Sequence, residues 1–352
     1  MALDPATLTA LLDHGFDDVI DVRSPAEYAE DHVPGAINLP VLDDEERARV
    51  GTIYKQQSPF LARKLGAALV FRNAAAHVEG PLAGHEGGWR PLVYCWRGGQ
   101  RSGSFAWILR EIGWRAEVVA GGYRTYRRLV VAQLYDDPLP FRFIQLGGYT
   151  GTGKTELLHR LQGLGIQVID LEGLARHRGS LLGAMDGGQP SQKGFETGLS
   201  LALSRLDPAR PVVVEAESSK IGHCVLPPSL WQAMKDAPWI EVRAPLEARA
   251  VYLDRAYDDI LSDAPGLLDK LQPLRRHRGH ALIDEWAGFL AAGDRLALTR
   301  SLAADHYDPA YDKSMKALAP KVLARVETPD LTPQALDDLA LRLARVVQSS
   351  AI

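Results

Sequence analysis

The sequence predicts two consecutive α/β units, each built on a parallel sheet, followed by a mainly helical C-terminal part. Three observations support this fold class. The chain has 352 residues, which is too long for one typical domain core and suits two. Short apolar segments alternate with helical stretches, and the alternation restarts at Phe143. Beyond Pro245 the pattern becomes mainly helical.

The first unit contains four short apolar segments separated by helical stretches. The predicted strands are Asp18–Val22, Ala36–Leu39, Leu92–Tyr94 and Ala116–Val119. Helices are predicted over Pro59–Val78 and Ser102–Ile112. Turn formers and prolines in Tyr135–Pro140 place the boundary there, so the first domain is predicted to span residues 1–137.

The second unit repeats the strand–helix pattern and is predicted to span residues 141–320. A strand over Phe143–Leu146 precedes a helix over Lys154–Leu161. Further strands are predicted over Gln167–Asp170, Pro211–Ala216 and Trp239–Val242. The remaining residues, 321–352, form a predicted C-terminal helical segment, because Thr332–Val347 has apolar residues at helical spacing.

Composition narrows the class of protein. Lys and Arg total 40 against 44 acids, so the net charge does not indicate a nucleic-acid binder. A local basic face could still bind nucleic acid. No apolar run reaches the roughly 18 residues of a membrane span, and the N-terminus lacks the basic start of a signal peptide. Cys95 and Cys224 are the only cysteines, which excludes a disulfide framework. We therefore expect a cytoplasmic protein.

One cysteine lies in a setting that favours reactivity. The segment Cys95-Trp-Arg-Gly-Gly-Gln-Arg101-Ser102 joins a predicted strand to a predicted helix. Helix N-terminal N–H groups, together with Arg97 and Arg101, stabilise a thiolate and bind a tetrahedral oxyanion. The alternative is a buried structural cysteine, the commoner fate of a free thiol. We interpret Cys95, Arg97 and Arg101 as catalytic, and Cys224, which lacks such surroundings, as structural.

A glycine-rich segment predicts a phosphate site. Residues 148–155 (GYTGTGKT) fit the P-loop pattern G-x-x-x-x-G-K-[ST] between a strand and a helix. Glycines let backbone N–H groups point at a diphosphate, the lysine neutralises its charge, and Thr155 is placed to hold Mg²⁺. The predicted phosphate-binding residues are Gly148, Gly151, Thr152, Gly153, Lys154 and Thr155.

Three acids follow strands of the second unit. Val212–Val214 leads into Glu215 and Glu217 and resembles a Walker B strand. These two acids are candidates for a metal-linked or basic role, and the alternative is a solvated strand end. Asp170 closes another strand at the edge where parallel sheets bind ligands. It is either a site residue or a loop-capping acid.

Two segments combine arginines with other cationic or aromatic residues. Residues 270–280 (KLQPLRRHRGH) hold no acid, and residues 123–128 (YRTYRR) interleave arginine with tyrosine. A cluster of basic residues of this kind usually forms a solvent-exposed surface with no specific role. The alternative is salt-sensitive contact with nucleic-acid phosphates, with tyrosines suited to stacking on an unpaired base. The candidate contacts are Arg124, Arg127, Arg128, Arg275, Arg276 and Arg278.

Several motifs resemble known families. Residues 21–28 (DVRSPAEY), residues 32–38 (HVPGAIN) and the cysteine segment resemble the rhodanese family over roughly the first 135 residues. The Cys-x5-Arg spacing is one residue longer than in many sulfurtransferases of that family and resembles its phosphatases, so it should hold a phosphate-sized group. The order of rhodanese-like and P-loop units, with residues 177–180 (HRGS), 189–196 (QPSQKGFE) and 214–218 (VEAES), resembles the tRNA 2-selenouridine synthase family over most of the chain.

The second resemblance implies an activity, substrates and partners. In that family, 2-thiouridine at the tRNA wobble position becomes 2-selenouridine, through S-geranylation by geranyl diphosphate and replacement of the geranylthio group with selenium from selenophosphate. No tightly bound cofactor is implied, and tRNA is the partner. The alternatives from the residues are a P-loop phosphotransferase fused to a cysteine-dependent phosphatase or sulfurtransferase, and a regulatory module that senses nucleotides.

Overall fold

A computed structural model describes residues 2–350 of the chain, so residues 1, 351 and 352, which fall in the predicted first domain and C-terminal segment, lie outside it. The chain divides into two compact units. Unit 1 comprises Met1–Asp137 and Pro190–Ser204, and unit 2 comprises Pro138–Gln189 and Arg205–Ile352. Within the described residues no helix combines the length and the apolarity needed to cross a membrane.

Unit 1 alternates strands and helices as the sequence predicts. Its strands are β1 (Ala2–Leu3), β2 (Asp18–Asp21), β3 (Ile37–Asn38), β4 (Pro91–Tyr94) and β5 (Glu117–Val119). Its helices up to residue 131 are α1 (Leu8–Leu12), α2 (Pro25–Glu30), α3 (Asp44–Gln56), α4 (Pro59–Glu79), α5 (Gln100–Ile112) and α6 (Tyr123–Val131). The predicted strands and helices are therefore present with small changes at their ends.

The five strands of unit 1 form one parallel sheet in the order β1-β5-β4-β2-β3. Every residue of β4 is buried, as is typical of a central parallel strand covered on both faces. Val93 of that strand packs with Ile20 of β2 and with Phe105 and Leu109 of α5. The sheet thereby fixes the end of β4, where Cys95 follows.

Unit 2 begins with the elements around the glycine-rich segment. Its strands are β6 (Phe143–Gly147), β7 (Gln167–Ile169), β8 (Val212–Glu215), β9 (Lys220–Ile221), β10 (Cys224–Val225), β11 (Trp239–Arg243) and β12 (Val322–Glu327). Its helices before residue 257 are α7 (Lys154–Gly163), α8 (Leu171–Ala175), α10 (Pro228–Asp236) and α11 (Leu246–Ala256), with α9 (Gln192–Ser204) lying in unit 1.

The later part of unit 2 contains further helices. They are α12 (Asp258–Leu261), α13 (Ala264–Leu271), α14 (Arg275–Arg278), α15 (His280–Ala292), α16 (Arg295–Ser301), α17 (Asp308–Leu318) and α18 (Pro333–Ser349). Trp286 of α15 is fully buried in a small helical core. Helix α18 instead joins the core of the sheet through Leu336, Leu339 and Leu343.

The main sheet of unit 2 is parallel, in the order β12-β11-β6-β8-β7. The predicted helical C-terminal segment therefore begins with a strand, because β12 pairs with β11 at the edge of the sheet. Strand β12 carries Arg325 and Glu327 at exposed positions, as edge strands often do, and these charges obscure its apolar alternation.

Helix α9 lies within the sequence of the second predicted domain but belongs to unit 1. Glu196 of α9 forms an ion pair with Arg127 and accepts a hydrogen bond from the Tyr135 hydroxyl at 2.6 Å. Thr197 accepts one from the Tyr126 hydroxyl at 2.8 Å. The sequence patterns did not predict this helix, and local spacing could not have assigned it to unit 1.

Candidate functional site

The thiol loop, residues 95–101, connects β4 to α5 in unit 1. Cys95 is 3% exposed. Gly98 has a φ of +64°, and a Cβ there would stand 2.7 Å from the Val119 carbonyl oxygen. Only glycine fits that backbone, so the loop can curl tightly above the sheet. The N–H of Tyr123 donates to the Cys95 carbonyl at 2.8 Å and holds the loop from the opposite side.

The thiol of Cys95 is set up to ionise. Burial by itself raises the pKa of this thiol, but hydrogen bonds from Ser102, the charge of Arg101 and the backbone N–H of Arg97 outweigh burial and lower the pKa below its ordinary value. The Ser102 hydroxyl lies 3.1 Å from Sγ and is fully buried. Burial raises the pKa of the Cys224 thiol. The two cysteines therefore differ in the direction that their sequence settings predict.

The two arginines of the loop differ in role. Arg101 forms an ion pair with Glu27 at 2.7 Å, while the Arg97 side chain is exposed. Glu27 is the third residue of α2, where it also completes a capping box with Ser24. Burial tends to raise the pKa of Glu27, but the hydrogen bond and charge of Arg101 lower it overall. Glu27 thus positions Arg101, a role that the sequence reasoning missed.

A buried ion pair supports the loop from below. Arg23 and Asp21 contact each other at 2.6 Å and are both fully buried. The Tyr94 hydroxyl donates to Asp21 at 2.8 Å, and the Arg23 guanidinium lies 4.0 Å from the centre of the Tyr123 ring. Removing one member would leave a buried charge without its partner, so the network fixes β2 and β4 beside the thiol.

We expect Ser102→Ala to raise the pKa of Cys95, because a charge-assisted hydrogen bond to the thiolate is lost. Less thiolate would then be present at neutral pH. The measurement is the ultraviolet absorbance of the thiolate against pH, with the Cys95→Ser protein as the blank. Ser104→Ala, on the same helix, is the control. An unchanged titration in Ser102→Ala would show that this hydroxyl does not stabilise the thiolate.

The glycine-rich segment of unit 2 forms the predicted phosphate cradle between β6 and α7. Gly148, Gly151 and Gly153 all have positive φ values, of +150°, +85° and +72°. A Cβ at Gly148 would stand 2.6 Å from the Val242 carbonyl oxygen, so the loop passes too close to β11 for a side chain. Helix α7 starts at Lys154, and the N–H groups of its first turn lack partners within the helix. This geometry suits a phosphate group.

The polar side chains of the cradle donate hydrogen bonds to loop carbonyls and to a neighbouring acid. Lys154 Nζ donates to the Gly148 carbonyl at 3.1 Å, which places the ammonium group across the mouth of the loop. The Thr155 hydroxyl donates to Glu172 at 2.8 Å. Thr152 is fully buried, and its hydroxyl donates to the Tyr149 carbonyl at 2.8 Å. Thr152 therefore braces the loop by its side chain, and Glu172 is a site residue that the sequence reasoning missed.

The three predicted acids gather beside the cradle, at the carboxyl ends of β7 and β8. Glu215 is fully buried and accepts the Leu171 N–H at 2.7 Å, and its other oxygen has no partner among the described residues. Burial and the neighbouring acids raise the pKa of Glu215 well above its ordinary value. Burial and Glu172 raise the pKa of Glu217 to about 8. Burial therefore shifts both carboxyl groups toward their protonated forms.

Asp170 has a capping role and also lies at the cavity edge. Its carboxylate accepts the Gly173 N–H at 2.6 Å as the N-cap of α8, and His159 Nε2 lies 2.8 Å from its other oxygen. Gly179 lies close to the acids: a Cβ at this position would stand 2.8 Å from the Glu217 carboxyl oxygens. The segment at residues 177–180 therefore lies against the carboxylates.

A cavity of about 670 Å³ opens over the cradle within unit 2. It is lined by the cradle residues Gly151, Gly153, Lys154 and Thr155 and by the acids Asp170, Glu172 and Glu217. Its remaining lining includes several aromatic and aliphatic side chains from α11 and from residues 307–314. The site can therefore hold a phosphorylated molecule with an organic part.

The six arginines that the sequence predicts as nucleic-acid contacts have different surroundings. Arg127 is engaged with Glu196, Arg275 with Asp284, and Arg278 with the carbonyl of His306. The side chains of Arg124, Arg128 and Arg276 are exposed. The three exposed arginines are thus the ones open to a partner.

Two protein families match separate parts of the chain, and several relatives match most of it. The family described as "tRNA 2-selenouridine synthase AAA domain" matches residues 141–265, and the family "Rhodanese-like domain" matches residues 4–129. A tRNA 2-selenouridine synthase of Nitrosomonas europaea is 34% identical over 310 residues, which cover 82% of this chain and 77% of the relative. The enzyme of that name from Alcanivorax borkumensis is 34% identical over 337 residues, covering 87% and 91%.

Proposed function

Because the chain belongs to the tRNA 2-selenouridine synthase family, we propose that it modifies tRNA by converting wobble 2-thiouridine to 2-selenouridine. One observation carries the proposal: a single chain combines an ionisable thiol at a helix N-terminus with a complete P-loop. The first suits a small tetrahedral donor such as selenophosphate, and the second suits geranyl diphosphate. We assign one chemical step to each.

The first proposed step takes place at the P-loop. The thiouridine sulfur attacks C1 of geranyl diphosphate, the C1–O bond breaks, and diphosphate leaves with the electron pair while the nucleobase loses its N3 proton. Charge grows on the leaving diphosphate, so Lys154 and the first-turn N–H groups of α7 stabilise the transition state. Sulfur becomes a thioether, which is a better leaving group, and no nucleotide hydrolysis is required.

Mg²⁺ fits this cradle as a partner of the diphosphate. Among the described residues no three His, Cys, Asp or Glu side chains are arranged to hold a metal ion by themselves. Mg²⁺ commonly relies on one or two carboxylates together with substrate phosphates. Thr155 and Glu172, which contact each other at 2.8 Å, are the residues that would hold it. The ion would neutralise charge on the leaving group.

The second proposed step takes place at the thiol loop. The Cys95 thiolate attacks the phosphorus of selenophosphate, the P–Se bond breaks, and selenide leaves with the electron pair. Selenide then adds to C2 of the geranylated base, and geranylthiolate leaves. Water hydrolyses the cysteinyl phosphate and restores the thiol, so no oxidant or reductant is consumed. The loop N–H groups and Arg101, which Glu27 positions, would bind the phosphoryl oxygens.

We further propose that Arg124, Arg128 and Arg276 contact the tRNA phosphates. These side chains are exposed, whereas Arg127, Arg275 and Arg278 are held by internal contacts. The net charge of −4 means that such contacts must be local.

The test is incubation of the purified protein with thiouridine-containing tRNA, geranyl diphosphate and selenophosphate, followed by chromatography and mass spectrometry of the digested nucleosides. We expect 2-selenouridine, with S-geranyl-2-thiouridine as an intermediate when selenophosphate is omitted. Phosphate release from phosphopeptides or nucleotides with unchanged tRNA would instead support the phosphotransferase–phosphatase alternative and contradict the proposal.

A further inference from the structure

The cavity over the P-loop is lined by two chemically different groups of residues. One group consists of the acids Asp170, Glu172 and Glu217. The other group, here called the apolar wall, consists of Tyr252, Leu253, Ala256, Tyr307, Ala310 and Tyr311. A hydrocarbon chain is disfavoured beside the acids, because it would displace water from polar groups, whereas it gains free energy against the apolar wall.

The apolar wall begins directly at the phosphate cradle. Atoms of the Tyr252 ring stand 3.3 Å from the position that a Cβ of Gly153 would occupy, and Leu253 stands 2.8 Å from that of Gly151. The Tyr311 hydroxyl lies 3.4 Å from the corresponding position at Gly147. Any group attached to a phosphate in the cradle therefore meets this wall within the length of a few bonds.

The helices that form the wall are anchored to the P-loop. Arg249 of α11 makes a two-pronged ion pair with Asp308 of α17, at 2.8 and 2.7 Å, and also donates to the Thr150 carbonyl at 3.1 Å. Arg249 is only 4% exposed. One buried guanidinium thus ties both parts of the wall to the loop, so the distance between cradle and wall is fixed.

The volume of the cavity exceeds the needs of a diphosphate. About 670 Å³ lies within the ~300–1,000 Å³ range of sites for small organic ligands. Ala256 and Ala310 leave room in the wall where larger side chains would fill it. Both are exposed to the cavity and solvent rather than packed in the core.

We propose that the apolar wall binds the prenyl chain of the diphosphate donor, and that Ala256 and Ala310 set the chain length that fits. This inference rests on the proposed function, since it concerns the donor of the first step. The wall would hold the chain while C1 remains at the cradle. Tyrosine faces beside C1 would also favour the positive charge that develops there as the C1–O bond breaks.

The experiment compares prenyl transfer to tRNA from geranyl diphosphate and from the shorter dimethylallyl diphosphate. We expect Ala256→Trp and Ala310→Trp to lower the ratio of kcat/KM for geranyl over dimethylallyl diphosphate by at least about tenfold, because the wall loses the space for the distal isoprene unit. Val251→Trp is the matched control, since Val251 lies on α11, is 59% exposed and does not line the cavity.

The outcomes separate this inference from the proposed function. If the wild-type protein transfers no prenyl group from either diphosphate, the proposed function fails and the inference falls with it. If the wild type transfers geranyl but both tryptophan variants keep the ratio of Val251→Trp, the chain lies elsewhere and only the inference is overturned. Thermal unfolding of each variant confirms that a change in ratio does not come from partial unfolding.

Discussion

Lys154→Ala is expected to lower the rate of tRNA geranylation by about 10²–10³-fold, the usual effect of removing one fixed group that stabilises charge in a transition state. The Lys154 ammonium group lies 3.1 Å from the Gly148 carbonyl, across the mouth of the cradle, where in the proposed step the leaving diphosphate would gain charge. Selenium incorporation should fall as well, because the second step requires the geranylated base. The measurement is single-turnover conversion followed by nucleoside chromatography.

Two variants control this experiment. Lys316→Ala removes a lysine from α17 that does not line the cavity, and it should leave geranylation unchanged. Lys154→Ala supplied with tRNA that is already geranylated should regain selenium incorporation, since only the first step is impaired. Geranylation at the full rate in Lys154→Ala would refute the assignment of this step to the P-loop.

Cys95→Ser should abolish selenium incorporation while geranylation continues, so that S-geranyl-2-thiouridine accumulates in the tRNA. A serine hydroxyl remains protonated at neutral pH, and a loss of about 10³-fold or more is typical when a catalytic nucleophile is replaced. Selenium-labelled selenophosphate and chromatography of the digested tRNA measure both products together.

Cys224→Ser serves as the control, because burial raises the pKa of the Cys224 thiol and its sequence lacks an arginine loop. It should leave both steps intact. Two results would speak against the division of labour: labelled selenium entering tRNA with Cys95→Ser, or loss of geranylation in a folded Cys95→Ala protein.

The sequence predicted those parts of the fold and site that depend on short segments. Strands β2, β4, β6 and β8 are apolar runs bounded by turns, and the P-loop is a contiguous pattern, so both could be identified locally. The direction of the pKa difference between Cys95 and Cys224 also followed from neighbouring residues.

The remaining site residues come from distant parts of the chain. Glu27 reaches Arg101 across 74 positions, and Glu172 reaches Thr155 only through the packing of α8 against the sheet. Tyr311 of the apolar wall approaches Gly147 from the far end of unit 2. The periodicity of the sequence cannot predict these long-range contacts, because they depend on sheet order and on helix packing rather than on local spacing.

The placement of α9 has a consequence for dividing this protein into parts. A fragment that ends at Asp137 would keep all five strands of its sheet. It would lose the Glu196 carboxylate that pairs with Arg127 and the Thr197 hydroxyl that accepts a hydrogen bond from Tyr126. Cutting the chain after residue 137, the boundary that the sequence predicts, therefore does not separate the two compact units. A rhodanese-like fragment that is faithful to the whole protein must carry residues 190–204, grafted through a linker or supplied as a separate peptide. The same interleaving means that neither half can be exchanged by simple recombination at one crossover point.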